Sequence, residues 1–130
     1  MLLSTFFAEK LGSLNCDNDT RAYITGIFTK YQRATDDLST HSITLVYAEA
    51  RYQQSFQKLN NIADWLFWVE SMYPEHLNNA SEDYYHSIAQ LSYYSCYKLT
   101  NRRWLVFETL SDLFPYLTQQ ARYLIKLEQQ

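Results

Sequence analysis

Glycine and proline are unusually rare in this chain, and their scarcity limits the folds that it can adopt. Only two glycines and two prolines occur among 130 residues, whereas average usage would give about nine and about six. Tight hairpin turns depend on glycine and other residues that tolerate positive φ, and collagen needs glycine at every third position. The sequence therefore excludes collagen-like and multi-hairpin β architectures and favours helices.

The composition also indicates a folded chain. Hydrophobic residues make up 47% and aromatic residues 17% of the sequence, and the formal net charge is only −3. Disordered proteins have the opposite composition, with few aromatic residues and a high net charge. A length of 130 residues is typical of one domain, and no internal repeat or long linker divides the chain. We therefore expect a single helical domain over residues 1–130.

Apolar residues recur every three or four positions along most of the chain, which is the period of a helix packed on a core. In the longest such pattern, 45–73, Asn60-Asn61 is the expected break because asparagine side chains compete for backbone hydrogen bonds. Pro115 predicts a kink or a new helix start. The pattern thus predicts an all-α fold, a compact bundle of five to seven helices, with segments over 2–11, 19–33, 45–73, 82–99, 102–114 and 115–128.

Polar residues before these segments are candidate N-caps, because their side-chain oxygens can accept from the free amides of a first helical turn. Asp19 has this position at the start of the second segment, and Ser81 lies directly before the fourth. The candidates before the long third segment are Asp36, Asp37, Ser39 and Thr40.

The cysteine pattern and the N-terminus indicate a cytoplasmic protein. Cys16 and Cys96 lie 80 positions apart without a CxxC pair, which is typical neither of a disulfide scaffold nor of a structural zinc site. The first residues lack the basic segment of a signal peptide, and no stretch reaches the roughly 20 apolar residues that span a bilayer.

The sequence contains no recognisable catalytic or metal-binding motif. Only Asp83 and His86 have a spacing found in metal-binding helices, and a second such pair is missing. The other histidines, His41 and His76, are far apart in the chain. Cys16 is followed by acidic residues that disfavour its thiolate, while Cys96 is expected to be a small buried hydrophobic residue. We therefore predict no catalytic residues, no metal and no cofactor.

Nucleic-acid binding is also not expected. It depends on basic residues that neutralise phosphates, and the chain has 11 basic against 14 acidic residues. The one local concentration is Lys98, Arg102 and Arg103, close to Trp104. This group can either contact an acidic patch or lie solvated at a helix junction.

Two predicted helices carry aromatic residues on more than one face. At about 100° per residue, the core-facing stripe of the segment 82–99 should hold Tyr84, Ile88, Leu91, Ser92, Ser95 and Leu99, with His86, Gln90, Tyr93 and Tyr97 opposite. Phe67 and Trp68 similarly lie opposite Ile62, Trp65, Leu66, Val69 and Tyr73. Such helices are either buried centrally or present one aromatic face to a partner, and the sequence leaves both alternatives open.

The same two segments resemble a pattern in uncharacterised bacterial all-helical proteins. In that family Leu-Gly-Asp, an apolar run, Gly-Phe-Phe-Pro-Glu, Asp-Tyr-Tyr and Ala-Tyr occur in this order, and the glycines are replaced here by Ala63, Ser71 and Ala89. The resemblance implies a helical fold and no particular activity. The residues that match are Asp64, Pro74, Glu75, Asp83, Tyr84, Tyr85 and Tyr93.

These observations predict a non-enzymatic protein–protein interaction module, a small bacterial or phage-type regulator, adaptor or inhibitor. Its partner is expected to be another protein, itself as a homodimer, or both, and neither a nucleic acid nor a membrane. The predicted partner-binding residues lie off the core stripes and are of types enriched at hot spots; they are Trp68, Tyr93, Tyr97 and Arg103. The alternative is a small-molecule or lipid-tail sensor with an apolar pocket lined by tyrosine hydroxyls.

Overall fold

The chain folds into α-helices over the residues that the computed structural model describes, 3–32 and 43–126. These residues form α1 (Leu3–Leu11), α2 (Asn18–Gln32), α3 (Ile43–Gln53), α4 (Phe56–Met72), α5 (Glu82–Leu99) and α6 (Leu105–Lys126), with a short 3-10 helix at Pro74–His76. The prediction of an all-α bundle is confirmed. The expected helix ends near Arg33 and Glu128, the candidate caps Asp36, Asp37, Ser39 and Thr40, and His41 lie outside the described residues.

Helix α4 lies at the centre of the bundle and packs against α2, α3, α5 and α6. Every residue from 62 to 71 is buried, including Phe67 and Trp68 on the face that lies opposite Ile62 and Trp65. A helix that is apolar on all sides is stable only when other elements cover all of these sides. Central burial, rather than a partner-facing aromatic stripe, therefore explains the aromatic residues of α4.

Helix α5 is buried on a broader face than the predicted stripe, of which Ile88 and Ser92 are buried as expected. It packs against both α4 and α6, and Tyr93 and Tyr97, which were predicted to face outwards, are also buried. Leu91 and Leu99, which were predicted to face the core, are exposed instead. Periodicity alone could not orient this helix because both of its stripes are apolar enough to be buried.

The long third segment is broken at Gln54 and Ser55, and the predicted break at Asn60-Asn61 is wrong. Gln54 has a positive φ of 51°, and the Ser55 side chain accepts from the Lys58 amide as the N-cap of α4. Asn60 stays helical because its side chain donates to a hydroxyl of α2 and does not compete for its own backbone.

Helix α6 continues through Pro115, so a new helix start there is wrong. Proline has no amide hydrogen and leaves the carbonyl four residues earlier, that of Ser111, without its helical donor. The Gln90 side chain of α5 donates to this carbonyl at 2.9 Å, and the Ser111 hydroxyl donates to the Gln90 carbonyl at 2.8 Å. A reciprocal pair of bonds between helices thus satisfies the group that proline leaves unpaired.

Helix α5 ends in a Schellman motif that fixes the link to α6. The Asn101 amide donates to the Lys98 carbonyl at 3.0 Å and the Arg102 amide to the Tyr97 carbonyl at 2.9 Å, which is the bond pair of this motif. Asn101 and Arg102 both have left-handed φ, 58° and 59°. For this reason α6 begins at Leu105 and not at the predicted position 102.

The N-cap prediction is confirmed for α5 and wrong for α2. Ser81 accepts from the Tyr84 amide. At α2 it is Asp17, not Asp19, whose carboxylate accepts from the Thr20 amide at 3.3 Å and from the Thr20 hydroxyl at 2.5 Å.

Among the helices that the structure describes, none combines the length and the hydropathy needed to cross a membrane.

Candidate functional site

A buried carboxylate forms the centre of a hydrogen-bond network between α2, α4 and α5. Asp64 is only 7% exposed. Its Oδ1 atom accepts from the Tyr93 hydroxyl at 2.8 Å and from the Tyr23 hydroxyl at 2.9 Å. Asn60 Nδ2 donates to the Tyr23 oxygen at 2.6 Å. We call these four residues the Asp64 network.

Burial determines the protonation behaviour of this network. It raises the pKa of Asp64 to about 6, while the hydroxyls of Tyr93 and Tyr23 oppose the shift. Burial and the neighbouring Asp64 charge raise the pKa of both tyrosines, so both hydroxyls remain protonated donors. Cys96, also close to Asp64, has a pKa raised to about 12 and does not form a reactive thiolate.

Cys16 shows no sign of activation either. Burial, and to a smaller extent Asp17, raise the pKa of Cys16 against the opposing effect of Arg21. Both cysteines are free thiols. The expected burial of Cys96 is confirmed.

A second polar cluster joins α4, α5 and α6 around His86. His86 Nε2 lies 3.2 Å from Glu70 Oε1 and 3.6 Å from Glu82 Oε1. Arg122 Nη2 donates to the Glu70 carbonyl at 2.6 Å and lies 3.4 Å from Glu70 Oε1. The sequence reading missed this cluster, although the spacing of Glu82 and His86, one helical turn apart, was a signal.

The His86 cluster has a donor set that could hold a divalent cation, with three ligand atoms from Glu70, Glu82 and His86 within 4.8 Å of one another. However, the Arg122 guanidinium already lies beside the Glu70 carboxylate, with Nη2 3.4 Å from Glu70 Oε1. Burial raises the pKa of Glu70, while the His86 ring opposes the shift. The cluster joins α4, α5 and α6 as an ion-pair network, in which Arg122 Nε is buried without a hydrogen-bond partner among the described residues.

Three of the four predicted partner-binding residues are buried within the chain. Trp68 is 6% exposed, Tyr93 0% and Tyr97 9%. Trp68 is enclosed by Phe28, with ring centroids 5.4 Å apart, and by neighbouring tyrosines. The prediction that these three side chains face outwards is therefore wrong. Arg103 is exposed, as expected.

Exposed apolar side chains lie instead around a groove between α3 and α5. Tyr52 is 91% and Leu91 50% exposed. They flank a cavity of about 620 Å³, and Arg51 also lines a second cavity of about 310 Å³. We call the two cavities together the α3–α5 groove. Its lining residues are Thr44, Tyr47, Ala48, Arg51, Tyr52, Gln54, Leu59, Tyr84, Ser87, Ile88, Leu91, Ser95, Lys98 and Leu99.

A separate groove of about 680 Å³ lies where the start of α2 meets the link between α5 and α6. Tyr23 of the Asp64 network lines it together with Arg103 and Trp104. Trp104 is the one exposed tryptophan of the three in the chain, since Trp65 is buried like Trp68. We call this cavity the α2–α6 groove. Its lining residues are Asp17, Asp19, Ala22, Tyr23, Arg103, Trp104, Leu105 and Val106.

No protein-family model, curated protein or solved structure matches this chain significantly. The resemblance to uncharacterised bacterial helical proteins therefore stays a prediction. Of its residues, Asp64 and Tyr93 belong to the buried network, where they bond to each other.

Proposed function

We propose that this protein is a non-enzymatic interaction module that binds an acidic amphipathic helix of another protein in the α3–α5 groove. The observation that carries the proposal is an exposed apolar groove bordered by two cationic side chains. Tyr52 and Leu91 offer large apolar areas at its opening, and large exposed apolar patches on folded proteins mark interaction sites.

The shape of the groove supports a helical ligand. Side chains of two neighbouring helices, α3 and α5, form most of its walls, and Arg51 lines both of its cavities. The Thr44 and Tyr84 hydroxyls bond to each other and hold the walls together at one end. A ligand helix fits such a groove with apolar side chains at positions i, i+3 or i+4 and i+7.

The charge of the groove indicates an acidic ligand. Among its lining residues Arg51 and Lys98 are cationic and none is acidic, although the whole chain has a net charge of −3. Glu49, which is on α3, already pairs with Lys58 at 3.6 Å. Opposite charges across an interface speed association and exclude wrong partners, so acidic residues beside the apolar anchors would favour this site.

A second copy of the same chain suits the groove less well. A twofold contact places the same patch on both subunits. The cationic patch with Arg51 and Lys98 would then face the same cationic patch of the second copy, and like charges facing each other destabilise an interface. The test must therefore distinguish the homodimer expected from the sequence from binding of another protein.

The test measures binding of two synthetic helical peptides by fluorescence anisotropy. Both carry the same leucines at i, i+3 and i+7, and one is flanked by glutamates, the other by lysines. We expect the full chain to prefer the acidic peptide, with an affinity that falls at high salt. Arg51→Gln combined with Lys98→Gln should remove this preference. Equal binding of both peptides would refute the proposed charge recognition.

Leu91→Glu tests the groove directly, and Tyr123→Glu is its matched control. Both substitutions add one negative charge at an exposed apolar position of a helix. Leu91 lines the groove and Tyr123, on α6, does not. We expect Leu91→Glu to lower the affinity for the acidic peptide by at least about tenfold, as for a residue at an interface hot spot. Tyr123→Glu should change this affinity little. Equal effects of the two substitutions would contradict the assignment to this groove.

Native mass spectrometry of the purified protein distinguishes the other occupants. We expect a monomer of the bare chain. A dimer that Leu91→Glu dissociates would replace the proposed partner with a second copy. A co-purifying small apolar mass that Leu91→Glu removes would instead favour the ligand sensor, for which Tyr47, Tyr52 and Tyr84 would supply the hydroxyls.

A further inference from the structure

The α2–α6 groove contains charged side chains of both signs that the rest of the described structure leaves unpaired. Asp19 lies at the start of α2 and Arg103 in the link before α6, so they approach the groove from different elements. Neither forms an ion pair with another described residue. Asp17, by contrast, is engaged as the N-cap of α2 and hydrogen bonds with Thr20 lower its pKa.

An aromatic wall lies beside these charges. Trp104 is 59% exposed and stacks on Phe107, with ring centroids 6.2 Å apart and an interplanar angle of 14°. Phe107 in turn meets the Tyr23 ring edge-on at 5.6 Å. The Tyr23 hydroxyl is bound to Asp64, so the wall is anchored in the core. Trp104 stacks on Phe107 with one face of its ring, which leaves the other face open.

We propose that the α2–α6 groove binds a small zwitterion that carries an alkylammonium group and a carboxylate. The exposed face of an indole attracts an ammonium group through its quadrupole, and tryptophan is the best side chain for this contact. Asp19 adds an opposite charge, and Arg103 can bind the carboxylate with two parallel hydrogen bonds. The volume of about 680 Å³ lies within the range of small-molecule sites, about 300–1,000 Å³.

This site is independent of the α3–α5 groove, since the two share no lining residue. Binding of a zwitterion can therefore fail while the helix-binding proposal stands, and the reverse also holds.

The test uses glycine betaine, choline and propionate as probes on the full-length chain. Choline has the ammonium without the carboxylate, and propionate has the carboxylate without the ammonium. We follow the indole N–H signals by NMR, where loss of one signal in Trp104→Phe identifies Trp104. Glycine betaine should shift the Trp104 signal saturably and leave those of Trp65 and Trp68 in place. Choline should bind more weakly, and propionate should not saturate the shift.

Two charge variants at exposed positions separate the two ends of the ligand. Arg103→Gln should lower the affinity for glycine betaine by about tenfold, the loss expected for a charge-assisted bond pair. The affinity for choline should stay the same or rise. Asp19→Asn should lower the affinity for both glycine betaine and choline. A shift that does not saturate, or an Arg103→Gln variant that binds glycine betaine like the parent chain, would overturn the proposal.

Discussion

Replacing Asp64 with asparagine removes the titratable group from the Asp64 network and keeps its shape. The amide oxygen of asparagine can still accept from the Tyr93 and Tyr23 hydroxyls, which now both bond to Oδ1. Its amide nitrogen would take the place of Oδ2, which lies 3.0 Å from the Tyr23 oxygen, and could donate there. The substitution therefore tests the charge of Asp64 more than its packing.

The expected effect follows from the difference in the Asp64 pKa between the folded and unfolded chain. The pKa is about 6 in the fold, against an ordinary value of 3.8. The folded state therefore binds the proton more tightly, and the free energy of unfolding must fall as the pH rises through this window. About two pKa units at about 1.4 kcal/mol each correspond to about 3 kcal/mol.

The assay is urea denaturation of the parent chain and of Asp64→Asn at several pH values between about 4 and about 7.5, the window set by these pKa values. Other carboxylates titrate in both proteins, so the difference between the two free energies isolates Asp64. We expect this difference to change by about 3 kcal/mol in favour of the variant as the pH rises. A ¹³C NMR titration of the Asp64 carboxyl gives its pKa directly.

A second variant, Tyr93→Phe, tests the role of the Tyr93 hydroxyl without changing a charge. The Tyr93 hydroxyl opposes the raised pKa of Asp64, so its removal should move the midpoint of the pH dependence to higher pH. A difference between parent and Asp64→Asn that stays constant with pH would refute the reasoning. A midpoint that falls in Tyr93→Phe would refute the assigned role of the hydroxyl.

Three further outcomes follow from the packing. Gln90→Leu should lower the free energy of unfolding by about 1–2 kcal/mol because it leaves the partly buried Ser111 carbonyl without a donor. The loss should be smaller in a Pro115→Ala background, where residue 115 regains its amide; equal losses in a double-mutant cycle would contradict the pairing. Trp68→Ala should lower the free energy of unfolding by about 3–5 kcal/mol, whereas Trp104→Ala should lower it by less than about 1 kcal/mol; similar losses would contradict their assigned burial. Cys96 should react with a thiol reagent only as fast as the chain unfolds, as measured by mass mapping, and rapid labelling of the native chain would argue against its burial.

Much of the secondary structure could be predicted from the sequence because it depends on contacts within one or two helical turns. The scarcity of glycine and proline and the apolar period of three or four residues predicted the helical class. Ser81 predicted the start of α5, since a cap acts on the backbone next to it.

The candidate sites could be predicted only in small part. Arg103 was identified and is exposed in the α2–α6 groove, but Trp68, Tyr93 and Tyr97 were assigned to a surface and lie in the core. Their identity as large aromatic residues is compatible with either location. The groove residue Leu91 was missed for the same reason, because a leucine on a two-sided apolar helix does not specify which side is covered.

The sequence alone determined that this chain forms amphipathic helices and where several of them begin, because those features depend on neighbouring residues. Only the tertiary structure decided which faces are buried, why α6 passes through Pro115 and how Asp64 meets hydroxyls from α2 and α5. These outcomes depend on pairs such as Tyr23 and Asp64, 41 positions apart, or Gln90 and Ser111, 21 positions apart. No local pattern encodes such pairs, because they form only after the helices have packed together.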